Sequence, residues 1–208
     1  MVYSLEIKQL EQGRQLMAKK ILVISGSPKK DGNTATLINW FAEGACLKDA
    51  KVEIVQAASL KYKTTGCLSC RACQNIDKYE CIVSDEAKPI LAKMPGFDVI
   101  VMATPLYFFA ASAQLKLIFD RMFSLYKWDN KSGTMKTPLK GKTFVLLASA
   151  FEDVGLDALE KPFEITANYT GMKFKSLLIP NAGESGDIKN KKDIRKKTIE
   201  FGKSIVSL

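Results

Sequence analysis

Apolar and polar residues follow two alternating rhythms along this chain. Short runs dense in Val, Ile, Leu and Phe occur at Lys20–Ser25, Val52–Gln56, Asp98–Ala103, Thr143–Ala148 and Phe174–Ile179. They are bounded by polar or glycine-containing segments, which reads as strands. Between and after them, apolar residues recur at three- and four-residue spacing. This predicts helices over Thr34–Ala45, Asp85–Met94, Ser112–Phe123, Leu156–Tyr169 and Lys191–Val206, with Gly171 placed to cap the fourth. Strands that are apolar on both faces and separated by helices belong in a parallel sheet covered on both sides. The expected fold class is therefore α/β, a doubly wound five-stranded parallel sheet in the order 2-1-3-4-5. Residues 17–208 form its one domain, interrupted after strand 2 by a Cys-rich loop over residues 61–83. Residues 1–16 are polar and only weakly periodic, an N-terminal extension with two open readings. It is an arm that packs on this or a partner subunit, or it precedes a true start at Met17.

In a sheet of this order, ligands bind beyond the carboxyl ends of strands 1 and 3. The loop after strand 1 reads SGSPKKDGNT, Ser25 to Thr34. Gly26 and Gly32 let backbone N–H groups turn inward, and Ser27, Asn33 and Thr34 add side-chain donors. A helix starts at once, so its N-terminal amides face the same spot and make a phosphate site. A Walker loop fits worse, because Asn33 stands where its lysine belongs, and Ser27 and Pro28 break a dinucleotide fingerprint. The plain alternative is a turn closed by an Asn/Thr cap. The loop after strand 3 begins TPLYFF, and Pro105, Leu106, Tyr107 and Phe108 leave the sheet where backbone and an aromatic edge meet a flat ring. Phe109 and Phe119 read instead as core.

The inserted loop reads GCLSCRACQNIDKYEC. Cys67, Cys70 and Cys73 form CxxCxxC, and Cys81 follows within the same short loop. This spacing is ferredoxin-like and favours a [4Fe–4S] cluster. Zinc more often pairs two CxxC knuckles across a longer gap. Ile82 occupies the place where bacterial ferredoxins have proline, so an empty or degenerate loop also stays open, as does zinc. Cys46 reads as a small buried residue.

Composition narrows the chemistry. Among 208 residues there is no His, which removes a Ser-His-Asp triad, a His-ligated metal and a His general base. No nucleophile stands out, so any reaction is carried by cofactors and the expected set of protein catalytic residues is none. The net charge of +9 speaks to partners and solubility rather than to fold. Lys61, Lys63, Arg71 and Lys78 lie in or beside the Cys loop, which suits an acidic redox partner such as a ferredoxin; a solvated surface is the rival reading. No helix-turn-helix or basic-aromatic strand pattern suggests nucleic acid. Pro105 and polar neighbours break the longest uncharged stretch, so no membrane span is expected. Without the apolar core of a signal peptide, a cytoplasmic location and reduced cysteines are expected.

Four pieces in order now carry a resemblance: SGSPKKDGNT, the Cys cluster, TPLYFFAASAQLKLIFDR, and GESGDIKN at Gly183–Asn190. Residues 20–208 resemble the NADPH-dependent FMN reductase group of flavodoxin-like proteins, and more closely its iron–sulfur flavoprotein branch. The resemblance implies FMN, with its phosphate at Ser25, Ser27, Asn33 and Thr34. Lys29 and Lys30 stand where relatives often have a basic residue. The flavin ring is implied near Pro105, Leu106, Tyr107 and Phe108, and near Ser149 and Ala150. The implied activity is an FMN-dependent oxidoreductase relaying electrons from ferredoxin or NAD(P)H, through a [4Fe–4S] cluster, to an acceptor. A cluster-free NAD(P)H:FMN or quinone reductase and a non-enzymatic flavin-binding electron carrier are the alternatives. Aromatic residues and the Cys loop at one rim of the sheet lead to the expectation of a homodimer or tetramer.

Overall fold

The structure, a computed structural model, describes residues 18–129 and 131–208. The extension expected at 1–16 lies outside the described residues. The elements in chain order are β1 (Lys20–Ser25), α1 (Asn33–Cys46), β2 (Lys51–Gln56), α2 (Ala87–Lys93), β3 (Val99–Tyr107), β4 (Ala110–Ala111) and α3 (Ala113–Phe119). Then come β5 (Lys127–Asp129), β6 (Thr134–Lys136), β7 (Thr143–Ser149), α4 (Leu156–Thr170), β8 (Lys173–Ile179) and α5 (Lys192–Val206). Strands β2-β1-β3-β7-β8 form one parallel sheet, the predicted 2-1-3-4-5 order.

Period-two alternation in the strands divides the core in two. Leu22, Ile24, Ile100, Met102 and Leu146 face Leu91 of α2, Leu115 and Ile118 of α3, and Phe163 of α4. Ile21, Val23, Val101 and Leu147 face Leu37, Ile38 and Phe41 of α1 and Ile205 of α5. Burial on both faces holds for β1, β3 and β7. It does not hold for the edge strands: in β2 only Val55 is buried and Ile54 is 41% exposed, and β8 alternates between buried or half-buried and more open positions. The cause is position, since an edge strand has one neighbour and less helix above it.

Helices α1 and α5 approach closely because two glycines face each other's backbone. A Cβ on Gly44 would lie 2.1 Å from the Ile199 carbonyl oxygen, and one on Gly202 would lie 2.3 Å from that of Phe41. Gly171 takes φ 69° and closes α4, as its position in the sequence predicts.

Two local departures bear on the site. Strand β3 runs past Ala103 to Tyr107 and turns back to pair with β4, so Leu106 opposes Ala111 and Tyr107 opposes Ala110. The helix expected over Ser112–Phe123 is α3 followed by a 3-10 segment at Asp120–Leu125. The sequence reading also has no counterpart for the β5–β6 hairpin.

Candidate functional site

A cleft of about 190 Å³ opens beyond the carboxyl ends of β1, β3 and β7. The first loop contributes Ser27, Lys29, Gly32, Asn33 and Thr34 to its wall. The second contributes Pro105, Leu106 and Tyr107, and Ser149 and Ala150 follow from the end of β7. The structure thus brings together residues expected from three separate loops. Helix α1 opens onto this cleft without a side-chain cap and without an acidic residue in its first turn. Its first N–H groups lack partners within the helix, and its dipole favours an anion.

Hydrogen bonds fix the two loops against each other. Ser112 Oγ donates to the Gly26 carbonyl at 2.6 Å, and the Gly26 N–H donates to the Ala103 carbonyl at 2.7 Å. The Gly26 amide, expected to turn inward, is therefore engaged with the backbone of β3. Ser27 Oγ accepts from the Lys29 N–H at 3.2 Å, and Thr34 Oγ1 lies 3.3 Å from Ser149 Oγ. Lys30 is exposed.

Of the expected cofactor contacts, Ser25 and Phe108 lie off the cleft wall, while Asn33 lies on it with its side chain engaged by another loop. Ser25 is fully buried inside β1, off the cleft wall, and its hydroxyl has no partner. Asn33 directs its side chain to the 182–188 loop rather than leaving it free. Its Nδ2 donates to the carbonyls of Ala182, Gly183 and Glu184, at 2.9 Å for Glu184, and its Oδ1 accepts from the Gly186 N–H at 2.8 Å. Phe108 is 97% exposed at the tip of the β3–β4 turn, away from the wall. Phe109, expected in the core, is 52% exposed. Both take positive φ, 47° and 65°. That is the pattern of a type I′ turn, which normally selects Asn and Gly. Phe119 does pack inward, stacked 4.7 Å from Phe163.

The wall also includes Phe151, Gly183, Glu184 and Ser185, which the sequence reading left unassigned. A signal was present, since Gly183 and Gly186 punctuate the polar loop that follows the last strand.

The inserted loop gathers Cys67, Cys70, Cys73 and Cys81 around one narrow pocket of about 20 Å³. Cys67 and Cys70 are exposed, Cys73 is buried and Cys81 is half-buried. Among the described residues, no three Cys, Asp or Glu side chains are grouped so as to hold a metal ion. Positive φ at Gly66, Ser69 and Arg71 curls the chain around the cysteines. Burial pushes the Cys73 thiol up from its ordinary pKa, with a bond from Gln74 and the charge of Lys127 opposing. Gln74 also reaches the Tyr126 carbonyl at 2.8 Å, tying the loop to the start of β5. Cys46, expected to be buried, is exposed at the end of α1.

Beneath this pocket lies an ion pair that the sequence reading missed. Arg121 Nη1 donates to Asp85 Oδ2 at 2.8 Å, and both side chains are only 1% exposed. Arg121 Nη2 also reaches the Val83 carbonyl at 3.3 Å. Asp85 accepts further from the N–H groups of Lys63 and Ala87. Burial alone would raise the Asp85 pKa; the bond from Arg121 and those two amides outweigh it and hold the carboxyl below its ordinary range. Burial would likewise lower that of Arg121, but Asp85 and the neighbouring Cys81 raise it above the ordinary value.

Comparisons with known proteins agree with this architecture. Residues 19–179 match the family described as NADPH-dependent FMN reductase. An iron–sulfur flavoprotein of Methanocaldococcus jannaschii is 33% identical over 102 residues, 49% of this chain and 51% of the relative. The chain thus spans about half the length of the iron–sulfur flavoproteins it matches. A putative NAD(P)H-dependent FMN-containing oxidoreductase of Bacillus subtilis is 26% identical over 171 residues, 81% of this chain and 88% of the relative. The crystal structure of an FMN-dependent NADH-azoreductase from Bacillus anthracis superposes with a TM-score of 0.69 at 14% identity, covering 90% of this chain and all of that one.

Proposed function

The chain belongs to the NADPH-dependent FMN reductase family, and from that premise we propose that it is an FMN-dependent oxidoreductase passing electrons through a [4Fe–4S] cluster. One observation carries the flavin assignment. The uncapped N-terminus of α1 and the Pro105–Tyr107 segment line the same cleft. A terminal phosphate fits the first, and a flat ring system fits against the second. Ser27, Lys29, Gly32 and Thr34 surround the phosphate position. Ser149 and Ala150 border the ring, with Gly183 and Glu184 opposite.

The donor chemistry of the Cys pocket suits a cluster. Four thiols line it, and two buried polar atoms beside it, Arg121 Nε and Ser124 Oγ, have no partner. Zinc more often pairs two CxxC knuckles across a longer gap, whereas this loop carries CxxCxxC with Cys81 following in the same short segment. A cluster would be held by Cys67, Cys70, Cys73 and Cys81, the four thiols that line this one pocket. When bound, FMN supplies two-electron and one-electron chemistry, and the cluster supplies one-electron chemistry. The protein binds, orients and tunes, and no side chain is assigned a proton-transfer role.

The electron donor in this reading is ferredoxin or NAD(P)H, and the working unit is a dimer that covers Tyr107 and Phe151 on the cleft wall and Phe108 and Phe109 on the β3–β4 turn. These residues are between 46% and 97% exposed in the single chain. A cluster-free NAD(P)H:FMN or quinone reductase is the second reading, favoured by the narrowness of the Cys pocket. Titrating apo-protein with FMN and with riboflavin tests the flavin assignment. The phosphate is expected to contribute about 2 kcal/mol or more through charge-assisted hydrogen bonds. Equal affinity for the two would contradict it.

A further inference from the structure

Among the described residues, three buried side-chain atoms lack a hydrogen-bond partner: Ser25 Oγ, Arg121 Nε and Ser124 Oγ. The last two are neighbours. They lie on the 3-10 segment Asp120–Leu125 at positions i and i+3. Three residues make one turn of such a helix, so side chains at this spacing eclipse and point the same way. Both residues line the pocket formed by Cys67, Cys70, Cys73 and Cys81. Arg121 is 1% exposed and Ser124 2% exposed. Buried donors without partners are uncommon in native proteins, and each calls for an acceptor.

Nη1 donates to Asp85 and Nη2 to the Val83 carbonyl, which holds the plane of the group; Nε is its one nitrogen without a partner, and the Cys81 thiol neighbours the group. Because Asp85 balances the charge, the pair adds little net charge to the pocket. What it brings to the pocket is N–H donors, the unpartnered Nε among them, with the unpartnered Ser124 hydroxyl one turn along the same segment.

We propose that Arg121 Nε–H and Ser124 Oγ–H donate hydrogen bonds to sulfur atoms of the iron–sulfur cluster held by the four cysteines, and so set its reduction potential. This rests on the cluster reading given above. Thiolate and sulfide sulfurs are acceptors, and the reduced cluster carries one more negative charge than the oxidised one. Donors aimed at sulfur therefore stabilise the reduced state more and raise the potential. Arg121 and Ser124 are tuning and positioning residues; neither ligates iron. The rival explanation is a buried water, for which a pocket of about 20 Å³ has room.

The experiment uses the full chain reconstituted anaerobically with iron and sulfide, compared with Ser124→Ala, Ser124→Thr and Arg121→Lys. Iron and sulfide content and the midpoint potential, followed by electron paramagnetic resonance, are the readouts. Ser124→Ala is expected to keep its iron and sulfide while its midpoint moves to a more negative value. Ser124→Thr retains the hydroxyl and is expected to restore the original midpoint. Arg121→Lys keeps a cation for Asp85 but loses Nε, and its midpoint also moves negative. The serine pair decides the matter even where Arg121→Lys does not fold. A loaded Ser124→Ala protein with an unchanged midpoint overturns the proposal and leaves the cluster reading standing. Wild-type protein that takes up no iron and sulfide overturns the cluster reading, and this proposal with it.

Discussion

The Asn33 side chain holds five backbone groups of the 182–188 loop, three through Nδ2 and two through Oδ1. Asn33→Asp would turn a carboxylate oxygen toward three carbonyls. The loop should then release, and with it one wall of the cleft. FMN affinity is expected to fall by about 2 kcal/mol, comparable to losing charged-group hydrogen bonds. Fluorescence titration of the apo-variant checks this, and unchanged affinity would separate the loop from the flavin site. A second prediction concerns the pair beneath the Cys pocket. Asp85→Asn leaves Arg121 buried without its counter-charge, an arrangement that costs about 3–5 kcal/mol. Denaturant unfolding reads it directly, and a cost below 1 kcal/mol would contradict the buried-pair account. The pH sign follows from the depressed Asp85 pKa. The contribution is fully present above the carboxylate's ordinary pKa and is lost as pH falls through its lowered folded value. Wild-type stability should therefore drop in acid, and Asp85→Asn should flatten that part of the profile. At this scale the sequence exposed residue types better than partners. Asn33 was legible as a cleft residue, but its acceptors lie about 150 positions away. Arg121 stood inside a quoted motif, yet nothing in the motif points to Asp85.

Elements add constraints that single residues do not. Helices α1 and α5 meet through Gly44 and Gly202, where a methyl group would collide with backbone rather than with a movable side chain. Gly44→Ala is expected to destabilise the fold by about 1–3 kcal/mol through overpacking. A melting temperature equal to wild type would contradict the close approach. The β3–β4 turn predicts the opposite sign. Phe108 is almost wholly exposed and left-handed, and an aromatic residue costs about 1 kcal/mol there relative to Asn. Phe108→Asn should raise the melting temperature of the single chain while weakening self-association, measured by sedimentation. A lower melting temperature would refute the strained turn. The five long strands were legible because the core is periodic at 2 in strands and 3.6 in helices. The β3 extension was not, because Pro105 reads as a strand end; in the sheet it instead takes its place opposite Ser149. The β5–β6 hairpin escaped for another reason. Its strands have three residues each and half-polar sequences, too short for a period to emerge.

For the molecule as a whole, the +9 charge and the exposed Lys61, Lys63, Arg71 and Lys78 beside the Cys pocket bear on encounter. In the proposed reading they steer an acidic ferredoxin, an effect worth roughly ten- to a thousandfold in association rate at low salt. Electron transfer from reduced ferredoxin should slow steeply as salt rises, and further on charge reversal at Lys63 and Arg71. A salt-indifferent rate would leave these lysines to solubility and NAD(P)H as the donor. Among the described residues no helix is long and apolar enough to cross a membrane. The central claim, a flavin and an iron–sulfur cluster on one rim of this sheet, meets its most direct test in anaerobically purified protein. An absorption spectrum with flavin, iron and sulfide assays is predicted to give about one FMN and about four iron and four sulfide per chain. A chain that binds FMN but holds stoichiometric zinc, or neither iron nor sulfide, would contradict the relay, and one that binds no FMN would contradict the account at its base.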